Sequence, residues 1–385
     1  MGLMKPTTCS ILPFFVALLL GGCAQPNVNF KPDKSHHTPT GFKNNGTDGV
    51  VRPLTDLLRW KWTAWQNDLP PPPKGPTPTQ TPDLALINAN ARAGAAMQPM
   101  VAWIGHATAL VQASGLNVLT DPIFSERAFP VQIAGPKRAQ PPGVALADLP
   151  PIDVVIVSHN HYDHLDRLSV IALNTQANGS TIFLVPLGNK AWMENIGITN
   201  VIELDWWDSV TLVRNQDGKP ARAAPGQTGV EFHLTPVQHW SARGMNDRSA
   251  TLWGGWSVFG SDFQWYFSGD AGYSRDFADT FKKFANRRLP SDVSKLFDLA
   301  LIPIGAYEPR WFMKEQHVNP MESVQTHKDL GAARSIGIHW GTFNLTDEAL
   351  DQPPLDLVIA RKAQGVAEAD FFLLKIGETQ KINRR

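Results

Sequence analysis

His159-Asn160-His161-Tyr162-Asp163-His164 places three histidines and an aspartate within six positions. Neutral imidazoles and carboxylates are ligands for zinc, and equally for other borderline divalent metals such as iron or manganese. An apolar run, Val154-Val155-Ile156-Val157, comes directly before the cluster and reads as a buried strand ending at it. A short loop at that point turns its side chains inward onto one place. A single histidine here would read as an ordinary polar loop, but four donors at this spacing read as a metal site. They exceed what one tetrahedral ion takes from so short a stretch. His159 and His161 can serve one ion while Asp163 and His164 turn to a second.

Three more candidates follow the ends of apolar runs: His239 after 230–237, Asp270 after 265–267 and His339 after 335–338. Alone, His239 or His339 would read as a satisfied core histidine. Joined to the cluster, they complete two sets. His159, His161 and His239 hold one ion; Asp163, His164 and His339 hold the other; Asp270 bridges them, since a carboxylate has two oxygens. Ions about 3.5–4 Å apart share a water, lower its pKa and stabilise the attacking and departing oxygens together. No serine or cysteine nucleophile is then needed. No Walker-type or dinucleotide motif occurs.

Donors so far apart in the chain need a rigid sheet whose strand ends converge. The apolar pattern predicts strands at 101–104, 109–111, 118–120, 153–157 and 181–185. Further strands are expected at 230–237, 256–259, 265–267, 299–304 and 335–338, and helices at 165–178, 189–196 and 320–330. Strands and helices mixed in this order imply a layered α/β or α+β domain. The stretch 214–229, rich in Gly, Pro and Gln, reads as a surface loop.

Of 385 residues, 43% are hydrophobic and 18% charged, enough apolar content for a sizeable core and against global disorder. Net charge is zero, which argues against a nucleic-acid partner held by a basic surface. The only cysteines are Cys9 and Cys23, so neither a disulfide framework nor a thiolate metal site is available beyond them.

Residues 1–23 read as a lipoprotein signal peptide. Lys5 starts it, 11–20 is an apolar stretch too short to span a bilayer, and Leu20-Gly21-Gly22-Cys23 closes it. Cys23 is then the lipidated residue and the new N-terminus. This expects a lipid-anchored protein of the bacterial cell envelope. Ala24 after the cysteine fits the outer membrane, or the periplasmic face, of a Gram-negative host. Residues 24–97 read as a tether and N-terminal extension. Polar residues up to Gly49 suggest a flexible tether, and 70–73 is a stiff proline run. Leu57, Leu58, Trp60, Trp62 and Trp65 form an apolar patch, expected to pack on the main domain; the other reading is a membrane contact.

The order Asp121, H-x-H-x-D-H, His239, Asp270, His339 resembles the metallo-β-lactamase superfamily. Longer strings narrow the resemblance: Trp103-Ile104-Gly105-His106-Ala107-Thr108, Thr120-Asp121-Pro122-Ile123-Phe124, Glu203-Leu204-Asp205-Trp206-Trp207, the run from Ile302 to Met313, Gln316-His317-Val318 and Ile338-His339-Trp340-Gly341. They are similar to the phospholipase D family that hydrolyses N-acyl-phosphatidylethanolamine. The similarity runs from about residue 98 to the C-terminus, so 98–385 is expected to be the catalytic domain.

The resemblance implies an αβ/βα four-layer sandwich with two zinc ions at its edge. It implies hydrolysis of a phospholipid phosphodiester to an N-acylethanolamine and phosphatidic acid. It places His317, and with it Gln316, beside the metal centre, with Asp270, His317 and Asp163 as catalytic residues. An imidazole such as His317 can serve a leaving alkoxide. His106 is expected to order the site from a nearby turn, and Asp121 to support a ligand histidine. A membrane-tethered phosphodiesterase is the reading these features favour. The alternatives are a hydrolase of a small soluble ester, lactone or lactam, and a lipid-binding lipoprotein without turnover. The complete donor set speaks against the last.

Overall fold

The computed structural model describes residues 26–46 and 52–384. The signal peptide expected at 1–23, with Cys23, lies outside the described residues. The described chain opens with a short hairpin, β1 (His37–Thr38) and β2 (Gly41–Phe42), followed by helices α1 (Leu54–Gln66) and α2 (Leu84–Ala91).

Two sheets then follow. β3 (Met100–Gly105), β4 (Thr108–Ala113) and β5 (Leu116–Thr120) form an antiparallel meander. β6 (Val154–Ile156), β7 (Ile182–Pro186) and β8 (Val201–Leu204) continue it in parallel, with α3 (Arg167–Gln176) and α4 (Lys190–Asn195) between them. The second sheet repeats this plan. β9 (Ser209–Arg214), β10 (Pro220–Arg222), β11 (Val230–Thr235), β12 (Gly255–Phe259) and β13 (Gln264–Phe267) pair antiparallel. β14 (Leu299–Pro303), β15 (Ser335–Ile338) and β16 (Phe371–Phe372) add in parallel. Helices α5 (Asp276–Lys283), α6 (Arg310–Met313), α7 (Pro320–Asp329) and α8 (Gln352–Gln364) lie between the later strands. β17 (Thr379–Lys381) crosses back to pair with β3.

Strand period 2 explains the layering. In and after β6, Val154 and Ile156 join the core between the sheets, whereas Val155 and Val157 join the core under α2, α3 and α4. Trp103 likewise faces the inner core while Ala102 and Ile104 face outward. A strand buried on both faces reads as a continuous apolar run, as 154–157 does. The result is an αβ/βα sandwich.

Two expectations need correction. Residues 26–46 are no free tether. His36 and His37 contact Asp205 at 2.7 and 3.1 Å, Phe42 enters the main core, and Asn44 reaches His239. Their polar side chains find buried partners on the domain, so no apolar periodicity was needed to fix them. Residues 77–91 are also integrated: Thr77 donates to the Gly341 carbonyl at 2.7 Å, and Ile87 is fully buried. Within the expected loop 214–229, β10 pairs with β9. α1 does pack on the domain through Trp60 and Ala64, which meet Phe312 and Met313. No helix among the described residues is long and apolar enough to cross a membrane.

Candidate metal centre

The structure brings all seven expected metal ligands to one edge of the sandwich. The 159–164 loop leaves β6. His239, Asp270 and His339 leave β11, β13 and β15 respectively, and His106 occupies the β3–β4 turn. Three non-glycine residues there adopt positive φ: His106 at 54°, Asp121 at 31° and His339 at 62°. Such conformations persist where surrounding bonds over-determine them. The His339 amide donates to the His106 carbonyl at 3.0 Å, and the His106 amide to Thr342 Oγ1 at 2.9 Å. Gly269, at φ 59°, lets the end of β13 approach the metal loop. A Cβ there would lie 2.3 Å from that of Ser158.

Two donor groups result. In the first, His159 Nε2 lies 2.7 Å from His161 Nδ1, which is 3.4 Å from His239 Nε2. In the second, His164 Nε2 lies 3.2 Å from His339 Nε2 and 3.3 Å from Asp163 Oδ2; His339 Nε2 is 3.5 Å from the same oxygen. Asp270 stands between them. Its Oδ2 is 3.0 Å from His164 Nε2, 3.9 Å from His159 Nε2 and 4.0 Å from His239 Nε2. Its Oδ1 is 3.1 Å from His339 Nε2, yet has no hydrogen-bond partner among the described residues.

These spacings fit metal ions. Donors about 2.0–2.1 Å from a tetrahedral ion stand about 3.3 Å from one another, and most of the separations fall near that value. Three of the far ring nitrogens are fixed by other partners, whereas His161 Nε2 and His339 Nδ1 have none among the described residues. His164 Nδ1 contacts Asp121 Oδ2 at 2.6 Å, His239 Nδ1 the Gln316 carbonyl at 2.9 Å, and His159 Nδ1 the Ser158 hydroxyl at 2.9 Å. A fixed outer nitrogen aims the inner one. Asp121 is fully buried and also accepts from the Ser158 amide at 2.7 Å. Burial pushes its carboxyl up from the ordinary value, and His164 and Ser158 pull the other way. His106 Nε2 donates to Asp163 Oδ2 at 2.9 Å and so steadies that carboxylate.

The electrostatics divide the same way. Burial first, then neighbouring imidazoles, hold His159 well below its ordinary value; burial likewise depresses His239 and takes His161 to about 4. These rings are neutral at pH 7, the form that binds metal. Burial opposes charge on His164 and His339 as well. There the carboxylates of Asp270 and Asp163 overcome it, holding His164 well above its ordinary value and His339 at about 9. The carboxylate side of the site therefore demands positive charge.

His317 borders the same space. Its Nδ1 lies 3.9 Å from Asp270 Oδ2 and is buried without a hydrogen-bond partner among the described residues, and burial takes its pKa to about 4. Gln316 contributes through its backbone carbonyl to His239, while its side-chain amide donates to the Phe312 carbonyl. A cavity of about 550 Å³ opens over the donors. His161, Asp163, Asp270 and His317 line its polar end, and Leu54, Leu57, Trp60, Phe312, Met313 and Leu345 line its apolar part.

Two supporting residues escaped the sequence reading. Asn44 exchanges two hydrogen bonds with the backbone of His239. Arg243 donates to the Asn160 and Leu165 carbonyls, both at 2.8 Å, and its guanidinium lies between the rings of Tyr162 and Trp192. Neither sits in a motif, and both act through main-chain atoms that leave no trace in residue type.

Residues 116–340 match the beta-lactamase superfamily domain. The chain is 42% identical over 286 residues to N-acyl-phosphatidylethanolamine-hydrolyzing phospholipase D 1 of Caenorhabditis elegans, covering 72% of this chain and 74% of that protein. It is 33% identical to the mitochondrial N-acyl-phosphatidylethanolamine-hydrolyzing phospholipase D of Saccharomyces cerevisiae, over 65% of this chain and 49% of that one. Among solved structures, an isothiocyanate hydrolase from Delia radicum gut bacteria shares the fold, with a TM-score of 0.54 at 18% identity over 74% of this chain and all of that one. Sequence, fold and converging donors agree that this chain is a metal-dependent hydrolase of the metallo-β-lactamase superfamily and belongs to the family of N-acyl-phosphatidylethanolamine-hydrolysing phospholipases D.

Proposed function

We propose that the protein hydrolyses N-acyl-phosphatidylethanolamine-type phospholipids to N-acylethanolamine and phosphatidic acid, with two zinc ions, while anchored in the cell envelope through acylated Cys23. The observation that carries the substrate class is the cavity. An apolar wall runs directly onto paired histidine and carboxylate donors. That combination suits a molecule with a long hydrocarbon part and a phosphodiester.

Bound divalent ions supply Lewis acidity toward the phosphoryl oxygens and an activated water. His159, His161 and His239 would hold one ion, Asp163, His164 and His339 would hold the other, and the Asp270 carboxylate lies within reach of both sets. Asp121 and His106 keep His164 and Asp163 in position. His317 is assigned to the departing oxygen. Its neutral ring lies in the cavity wall, and Nδ1 has no hydrogen-bond partner among the described residues, so it can hydrogen-bond there. Phe312, Met313 and Leu57 exclude water around the lipid chain.

Purified protein is to be incubated with a phospholipid mixture containing N-acyl-phosphatidylethanolamine, and in parallel with a small lactone and a small β-lactam. Release of N-acylethanolamine and phosphatidic acid is expected. Turnover of the small substrates alone overturns the lipid reading in favour of a soluble-substrate hydrolase.

A further inference from the structure

We propose that Arg52 and Arg248 are specificity-determining residues, which favour a phospholipid whose headgroup amine has been acylated and hold back the same lipid with a free ammonium. The proposal rests on the phospholipid reading of the site.

Four charged side chains besides the histidines line the catalytic cavity among the described residues. Asp163 and Asp270 belong to the donor groups; Arg52 and Arg248 belong to neither. The two arginines come from separate parts of the chain. Arg52 stands two residues ahead of α1 and is half-buried. Its guanidinium lies 5.7 Å from the ring centroid of Phe312, part of the apolar wall. Arg248 comes from the loop between β11 and β12. Its guanidinium lies 3.8 Å over the Trp240 ring, and Trp240 in turn meets the His161 ring edge-on at 4.3 Å. One cation thus adjoins the apolar wall, and the other stands one ring away from the His159, His161 and His239 set.

Arg52 Nε is buried and has no hydrogen-bond partner among the described residues. A donor shut off from water without an acceptor carries a desolvation cost. A phosphoryl or amide oxygen brought into the cavity beside it offsets that cost.

Charge decides which headgroup such a cavity prefers. Phosphatidylethanolamine pairs its phosphate anion with an ammonium. Acylating the nitrogen makes a neutral amide and leaves the lipid a monoanion. A guanidinium keeps its charge throughout the physiological range. Two of them attract the monoanion and repel the ammonium, beside apolar side chains that weaken screening by water. Like-charge repulsion rejects a competitor as effectively as attraction favours the right ligand.

The test pairs two measurements. In micelles of an uncharged detergent, kcat/KM is compared for N-acyl-phosphatidylethanolamine and phosphatidylethanolamine. Arg52→Gln/Arg248→Gln is expected to narrow the preference for the acylated lipid roughly tenfold or more, and Arg52→Lys/Arg248→Lys to keep most of it. The second measurement needs no turnover. Hexadecyl aminoethylphosphonate is a zwitterion whose P–C bond resists hydrolysis, and its N-acetyl derivative is a monoanion. Each is titrated calorimetrically into the metal-loaded full chain. The parent is expected to bind the N-acetyl form more tightly, and the glutamine variant to bind both alike. An unchanged preference in the glutamine variant, or an equal loss in the lysine variant, overturns the proposal. Equal affinity of the parent for both probes overturns it as well. A parent that hydrolyses neither lipid yet prefers the N-acetyl probe refutes the phosphodiesterase reading and leaves the charge selection standing.

Discussion

Asn44 and His239 exchange two hydrogen bonds of 2.9 Å: the Asn44 side-chain amide donates to the His239 carbonyl, and the His239 amide donates to the Asn44 side-chain oxygen. The pair spans 195 positions and ties the N-terminal arm to a metal-facing ring. Both residues are buried, so either bond left unmade exposes a polar group to a dry environment.

Asn44→Ala is therefore expected to lower unfolding free energy by about 1–3 kcal/mol and to reduce occupancy of the His159, His161 and His239 set. Urea melts and elemental analysis of the metal-loaded protein check this. A variant with unchanged melting and full metal content would contradict the clamp.

Asp121→Asn leaves shape almost unaltered but replaces the carboxylate that fixes His164 Nδ1 at 2.6 Å. Losing such an outer partner typically weakens metal affinity roughly 10–100-fold. Competition against a coloured chelator measures it. Equal affinity for both proteins would mean that the 163–164 set is fixed without Asp121.

Asp270→Ala removes the only carboxylate among the described residues within reach of both donor groups. Turnover is expected to fall by roughly three orders of magnitude or more, a loss of about 4 kcal/mol in transition-state stabilisation. Strong chelation of the wild type is expected to abolish activity, with zinc restoring it. Normal turnover in the Asp270 variant rejects the bridging assignment.

Away from the site, His327 on α7 supplies a clean pH dependence. It is buried, with Nδ1 2.8 Å from the Ser335 hydroxyl. Burial, then Lys295 and Lys328, take its pKa to about 4 from the ordinary 6.5. The unfolded chain therefore binds the proton more readily than the folded one. The stability this neutral ring allows is present above pH 6.5 and is lost as pH falls toward 4. Relative to His327→Gln, the wild type is expected to lose about 1–3 kcal/mol across that window. Paired denaturant titrations at each pH give the difference, and parallel slopes would contradict it.

Cys23→Ser is expected to release the protein from the membrane fraction while detergent-phase catalysis persists. Unchanged retention in fractionated cells counts against acylation.

Much of this molecule was legible in its sequence, for physical reasons. Strands buried on both faces, such as β6 and β14, are continuous apolar runs and announce themselves. The metal-facing residues follow those runs, so their places in the fold could be read from strand ends. What escaped was held by less periodic means. β8 and β9 carry Glu203, Thr211 and Arg214 among their apolar residues, which blurs the signal. α5 and α8 were missed too; α8 begins with two prolines in its first turn, which read more readily as loop. The arm at 26–46 folds through side-chain bonds to Asp205 and His239, and its composition is that of a linker. Arg243 and Asn44 grip carbonyls and amides, which every residue possesses.

β17 lies beside β3 at the edge of the first sheet. That sheet remains one strand short until residue 381 has been synthesised, although its remaining strands are complete by Leu204. Its unpaired edge is a hazard for a growing chain, because bare strand edges recruit other strands. Once β17 is in place, β3 is paired on both sides and the edge passes to a strand of three residues.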